Sequence, residues 1–224
     1  MKTNLLDIID ALVKKQNSVF KDHSDNLSEL GYMTAMQVKE DWPELNLDEE
    51  FAEDFKTAIT LHDIGKLKIP RKILAKPSTL TEDEYAIVQQ HTVIGVDMLN
   101  ETHKYVRYSK RDIQLLEMCL DVIGQHHERL DGSGYPNGLT GDEISLAAQI
   151  TAVIDSYDAM VSSRVYKSAM DCDEALEALM EETDKYNIKI LKSFAYVLKN
   201  NHGFQQEPCL TDMDISYKKD SASE

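Results

Sequence analysis

The chain has 224 residues with 24 basic and 40 acidic side chains, a formal charge of −16. A chain this acidic does not coat duplex DNA or an anionic membrane non-specifically, so any phosphate it handles needs a local concentration of positive charge or metal ions. An apolar share of 42% supports a sizeable core and excludes wholesale disorder. In chain order, Leu5, Ile8, Ile9, Leu12 and Val13 predict an amphipathic first helix. Phe20, Leu27 and Leu30 carry a 3–4 stripe into a second, and Phe51, Phe55 and Ile59 mark a third that starts near Asp48. Thr81-Glu82-Asp83-Glu84 has the form of a capping box and opens one helix bearing Ile87, Val88, Ile94 and Met98. Ile113, Leu116, Leu120 and Ile123, flanked by Leu115, Cys119 and Val122, predict the next. Residues 146–161 form another, and two more fall between Asp173 and Asn200.

Convincing period-2 strands are absent, so the fold class is all-α. Two loops interrupt the helices: residues 65–80, with Pro70 and Pro77, and residues 128–141, with Pro136 and glycines at 132, 134, 138 and 141. From about Gln205 the sequence turns polar and loses its stripe, and a mobile tail is expected there. Cys119, Cys172 and Cys209 stand far apart without a Cys-x-x-Cys pair, which argues against a disulfide framework or a thiolate zinc site and suits a reducing cytoplasm. No export signal and no apolar run of about 18 residues is evident, so a soluble cytoplasmic protein is expected.

Five of the seven histidines continue apolar stripes. His62 extends Phe51, Phe55 and Ile59. His127 extends Ile113, Leu116, Leu120 and Ile123, while His126 extends Leu115, Cys119 and Val122. His91 follows Ile87 and Val88 at spacings of four and three, and His23 lies three beyond Phe20 and four before Leu27. At 100° per residue all five rings point inward. A lone inward histidine is usually a hydrogen-bonded core residue, but five of them accompanied by aspartates need partners that a shared metal site supplies. In His62-Asp63 an imidazole adjoins a carboxylate able to bridge two cations, and His126-His127 offers two nitrogens at a helix end. Asp155 sits among the small residues Thr151, Ala152 and Ala159, which leave room for ions; Asp158, one turn on, faces nearly the same way as a supporting carboxylate or further ligand.

The segment Leu61-His62-Asp63-Ile64-Gly65-Lys66, then His91, then His126-His127-Glu128-Arg129-Leu130-Asp131-Gly132-Ser133-Gly134-Tyr135-Pro136, then Asp155, resembles the HD-GYP family of cyclic dinucleotide phosphodiesterases, a branch of the HD-domain metal phosphohydrolases. The similarity runs over residues 18–200. It implies an HD-domain helical bundle with the Gly-Tyr-Pro loop between two core helices, divided into an N-terminal helix (1–17), a catalytic domain (18–203) and the tail (204–224).

By this resemblance Asp63 bridges two divalent ions, His23, His62 and Asp155 complete one site, and His91, His126 and His127 the other. Some members hold a third metal through a glutamate one turn before the first histidine; Val19 stands there, so a dinuclear centre is expected, of iron or manganese given nitrogen and oxygen ligands without thiolate. Asp63 and Lys66 are the expected catalytic residues, Lys66 on the scissile phosphate. Arg164 and Lys167 match the family's phosphate-binding pair, the arginine offering a two-pronged hydrogen bond. Asp131, Gly132 and Tyr135 belong to the substrate side, with Gly132 and Gly134 permitting positive φ and close approach to a ligand, and Tyr135 and Pro136 form a wall or a surface for a partner protein.

The implied activity is hydrolysis of cyclic di-GMP or 3′3′-cyclic GMP-AMP to the linear dinucleotide, with mononucleotides after a second cut. A general HD nucleotide phosphohydrolase and a non-catalytic cyclic dinucleotide receptor or adaptor stay open beside it. Ser78-Thr79, Thr92 and Val165 depart from the family pattern and leave the substrate preference open. The catalytic region takes nearly all of the chain, so regulation is expected from partners, from homodimerisation through the first helix, or from metal and redox state.

Overall fold

Six of the helix starts among the described residues are fixed by side chains that accept hydrogen bonds from otherwise unpaired backbone N–H groups, each worth about 1 kcal/mol: those of Asp48, Thr81, Ser109, Ser145, Asp171 and Asn187. Asp48 Oδ1 accepts from Phe51 N at 2.7 Å and opens α3 (Glu49–Ala58), after α1 (Leu5–Phe20) and α2 (Ser24–Asp41). The expected capping box is present: Thr81 Oγ1 accepts from Glu84 N, and Glu84 returns the contact to Thr81 N, opening α5 (Glu82–Gln89) beyond the short α4 (Arg71–Leu74). Ser109 and Asp112 make a second box, which opens α7 (Lys110–Gln125) after α6 (His91–His103). The chain continues through α8 (Leu146–Val161), α9 (Cys172–Glu181) and α10 (Ile188–Asn200). This computed structural model describes residues 4–20, 24–103, 108–162 and 170–201. His23, Arg164, Lys167 and the expected tail at 204–224 lie outside the described residues. Among those described there is no strand, only an isolated antiparallel bridge between Asp131 and Thr140, so the fold is all-α.

Several local expectations are corrected. The helix expected to run from Thr81 through Met98 is two: α5 stops with Gln90 donating back to Ile87 O and Val88 O, and α6 restarts at His91. As a result α5 buries none of its residues, and Ile87 is 41% exposed. The expected 65–80 loop holds a 3₁₀ turn (Ile64–Lys68) and α4. The third helix tightens after Ala58 into 3₁₀ geometry (Ile59–Leu61), so His62, Asp63 and Lys66 lie on consecutive tight turns, not on one α-helix.

The core places α2 against α3, α8 and α10, with Phe55, Ile59, Leu61, Ile150, Ile154, Tyr157 and Phe194 fully buried. At roughly 1.5–3 kcal/mol for each such side chain, this burial is what assembles helices too short to persist alone. Helix α1 spends Leu5, Ile9 and Leu12 on the same core. Polar staples set the register. Arg111 clasps Asp54 with both guanidinium prongs, joining α7 to α3, and Ser193 Oγ accepts from Trp42 Nε1 (3.2 Å) while donating to Asp41 Oδ2 (2.6 Å), joining α10 to α2. Helices α6, α7 and α8 pack in succession, and the Ile64–Lys68 turn lies against α6. The residues just before the Ile64–Lys68 turn, the start of α6, the end of α7 and the middle of α8 meet at one place.

Candidate metal centre

Three buried imidazoles are oriented by the same local device. His62 Nδ1 donates to Ile59 O (2.8 Å), His91 Nδ1 to Val88 O (2.7 Å) and His126 Nδ1 to Val122 O (2.9 Å), in each case a carbonyl three or four residues back. A carbonyl can only accept, so the proton sits on Nδ1, and in the neutral ring Nε2 is left as a bare lone pair. All three Nε2 atoms converge on the Asp63 carboxylate. His91 Nε2 lies 3.3 Å and His126 Nε2 4.0 Å from Asp63 Oδ1, and His62 Nε2 is 3.4 Å from Oδ2. Asp155, from the middle of α8, closes the other side, with Oδ1 3.8 Å from His62 Nε2 and Oδ2 3.9 Å from His127 Nδ1.

This arrangement fits cations. One ligand atom each from Asp63, His91, His126 and His127 lie within 4.8 Å of one another. Asp63 Oδ1 is buried with no hydrogen-bond partner, an expensive condition for a carboxylate oxygen. His91 Nε2 and His126 Nε2 stand 3.3 Å apart, two lone pairs facing each other. Nitrogens about 2.0–2.1 Å from one ion and adjacent in its coordination shell are separated by about 3.0–3.4 Å, so a shared cation turns that repulsion into attraction.

The electrostatics agree. Burial pushes the His126 imidazole well below its ordinary value, helped by neighbouring His127, His62 and His91; burial likewise lowers His91 and brings His127 to about 3. These rings are neutral and ready to bind metal. Burial also opposes charge on His62, but Asp63 and Asp155 outweigh it and raise the ring to about 9. Burial disfavours the Asp63 carboxylate too, yet Lys66, His62 and His91 hold it well below the usual range. Lys66 Nζ lies 2.5 Å from Asp63 Oδ2, so the ammonium sits at the edge of the cluster and supplies positive charge there.

Of the residues singled out from the sequence, the structure brings together His62, Asp63, Lys66, His91, His126, His127 and Asp155. Tyr135 joins them by stacking on the His127 ring with centroids 4.6 Å apart. Asp131 is turned elsewhere: its exposed carboxylate accepts from the Ser133 backbone (2.9 Å) and hydroxyl (2.6 Å), shaping the turn in which Gly132 takes φ +77°. Gly134 is corrected as well. It does not adopt positive φ, and its close approach is to the protein's own backbone, since a Cβ there would lie 2.4 Å from Glu128 Cα and 2.5 Å from His127 O. Asp158, half-buried, accepts from Ser162 Oγ at 3.4 Å.

Two contributors escaped the sequence reading. Glu128, 1% exposed, accepts from Asn137 N (2.7 Å) and Leu139 N (3.0 Å) and so pins the turn that carries Tyr135. Arg129 donates to His126 O (3.2 Å), Glu128 O (2.8 Å) and Ser156 Oγ (3.2 Å), tying the two-histidine segment to α8. Both stand inside the quoted motif, but each acts through a partner that periodicity does not reveal.

A family model described as an HD domain matches residues 9–190. The chain is 35% identical over 191 residues to a cyclic di-GMP phosphodiesterase of Thermotoga maritima, an alignment covering 85% of this chain and 48% of that protein. It is 40% identical over 140 residues to 3′3′-cGAMP-specific phosphodiesterase 2 of Vibrio cholerae (62% of this chain, 25% of that one). It is 43% identical over 136 residues to the cyclic di-GMP phosphodiesterase response regulator RpfG of Xanthomonas campestris (61% and 34%). The chain thus spans about half the length or less of these relatives. No helix among the described residues is long and apolar enough to cross a membrane.

Proposed function

This chain belongs to the HD-domain family, and from that premise we propose that it is a metal-dependent phosphodiesterase that opens a cyclic dinucleotide, cyclic di-GMP or 3′3′-cyclic GMP-AMP, to the linear dinucleotide, with mononucleotides after a second cut. The observation that carries the reading is the buried, partnerless Asp63 Oδ1 facing the Nε2 lone pairs of His91 and His126. The activities for which these relatives are named point the same way. In this reading Asp63 is shared between two cations, His91, His126 and His127 hold one, and His62 and Asp155 hold the other together with His23. Iron or manganese suits a nitrogen and oxygen donor set.

When bound, such ions acidify a water and polarise the phosphate for in-line attack on phosphorus. The chain's own residues do the rest. The Nδ1–H donations of His62, His91 and His126 lock each ring so that Nε2 needs no reorientation on binding. Lys66 Nζ, beside Asp63, neutralises charge growing on the phosphate and can donate a proton to the departing ribose oxygen. Arg164 and Lys167 take the second phosphate, and Tyr135 walls the His127 side. A cytoplasmic location, a protein partner docking on Tyr135 and Pro136, and self-association belong to the same reading, supported in the first case by the free thiols Cys119 and Cys172.

The test is anaerobic purification with iron or manganese supplied, metal analysis, and incubation with cyclic di-GMP, 3′3′-cyclic GMP-AMP and a mononucleotide panel. Cleavage of either cyclic dinucleotide, lost together with bound metal in Asp63→Ala, is expected. Turnover confined to mononucleotides, or a metal content near zero, rejects the reading.

A further inference from the structure

Helix α5 is unusual in burying none of its residues, yet it packs on α6, whose first residue is His91. Its ring Tyr85 meets Tyr135 edge to face, with centroids 6.4 Å apart and planes at 80°. Tyr135 in turn stacks on His127 at 4.6 Å and lies edge-on to His91 at 6.5 Å. A continuous aromatic wall therefore runs outward from the histidine cluster and ends at Tyr85, which is 48% exposed. Nothing in the motif points to Tyr85; what sets it apart from the more exposed Tyr196 is that its ring continues the wall that begins at the histidines.

The charge around it says what it faces. The first turn of α5 is acidic, with Glu82, Asp83 and Glu84, and of these Glu84 is paired with Lys76. That end repels phosphate, whereas Lys66 stands at the cluster itself. A nucleotide whose phosphorus sits at the cluster has its base about one sugar away, an uncharged π-face in search of a platform. We propose that Tyr85 is a specificity-determining residue of this site, stacking a purine base of the nucleotide substrate at the outer end of the Tyr135 wall. This rests on the phosphodiesterase reading above and adds to it a base-recognition element contributed by α5.

Two substrates test it: cyclic di-GMP, and bis(4-nitrophenyl) phosphate, a phosphodiester without a purine. Base–aromatic stacking at the strength usual for nucleic-acid platforms predicts that Tyr85→Ala raises KM for cyclic di-GMP about ten-fold or more, with kcat within about three-fold. Tyr85→Phe, which keeps the ring, should stay near wild type, whereas Tyr85→Leu should resemble Tyr85→Ala. Calorimetric titration with 5′-GMP should show the same order of weakening without turnover. Hydrolysis of bis(4-nitrophenyl) phosphate, whose rings hang directly on the phosphate with no sugar to carry them outward, should change far less in all three variants. An unchanged KM for cyclic di-GMP in Tyr85→Ala overturns the proposal. So does an equal loss on both substrates, which would make Tyr85 a prop for Tyr135 and His127. Wild-type protein that cleaves only the purine-free diester defeats the cyclic dinucleotide reading as well, and that failure shows in the parent protein before any variant is made.

Discussion

Substituting Gly65 by alanine tests whether the site depends on how closely the turn after Asp63 approaches α6. A Cβ at position 65 would lie 1.9 Å from His91 O, 2.7 Å from Gly95 N and 2.8 Å from His91 C. All three are backbone atoms, so no side chain can swing aside. Restoring an ordinary 3.4 Å contact requires the Ile64–Lys68 turn to retreat from α6 by about 1.5 Å. The obstructing carbonyl belongs to His91, whose Nε2 faces Asp63 Oδ1 at 3.3 Å, so the retreat separates this pair directly. Metal–ligand distances tolerate about 0.2 Å. Gly65→Ala should therefore lose bound metal and about 100-fold or more in phosphodiesterase activity, with an overpacking cost of about 1–3 kcal/mol. Metal analysis after anaerobic loading reads the first effect, far-ultraviolet circular dichroism checks that the helices persist, and urea melts read the third. A variant that folds, carries wild-type metal and turns over at the wild-type rate would show that the close approach does not hold the site together.

Three of the four clustered histidines have lowered pKa values and one is raised, so these rings together should favour the folded metal-free protein most at about pH 6.5–7. As pH falls below the ordinary imidazole value of about 6.5, His91, His126 and His127 bind protons in the unfolded chain but not in the folded one, and stability drops. Above it, folded His62, raised to about 9, keeps a proton the unfolded chain has lost, so its contribution fades as pH rises through 9. Thermal melts of chelator-treated protein should show an acid limb steeper than the alkaline one, and a flat profile between pH 5.5 and 7 would contradict the buried neutral rings. Glu128→Ala leaves Asn137 N and Leu139 N without their acceptor, at a cost of about 2–4 kcal/mol in urea melts. It should also weaken metal binding about ten-fold by loosening Tyr135 over His127.

The histidine stripes led to residues that the fold brings together, in part by geometry the chain does not have. His62 follows Phe55 and Ile59 inward because the 3₁₀ turn after Ala58 keeps near-helical spacing. His91 is 1% exposed, but not as the continuation of Ile87, which faces solvent; its ring turns inward because the helix ends at Gln90 and begins again. His127 lies past the end of α7, and Ile113, the first member of its supposed stripe, is 44% exposed. A 100° step describes a continuous helix, and these histidines stand where helices break. The breaks are legible only in part: Thr81 and Asp48 announce starts through their side chains, whereas no residue near Gln90 marks the stop.

What the sequence encodes locally and what it leaves to tertiary structure divide cleanly at this site. The orientation of His62, His91 and His126 is local, since each Nδ1 proton goes to a carbonyl within four residues of its own ring. Their convergence is not: positions 62, 91, 126 and 155 are brought together by tertiary packing, among it that of the Ile64–Lys68 turn on α6, of α6 on α7 and of α7 on α8. Periodicity can show that a ring points inward, but not which other rings it will meet. That information came through the likeness of the motif set to the HD-GYP family. For the same reason Glu128 escaped notice, because its partners lie nine and eleven residues away in a loop without a period. So did Tyr85, because a stripe marks the buried face of a helix, and a platform for a ligand must stand on the other one.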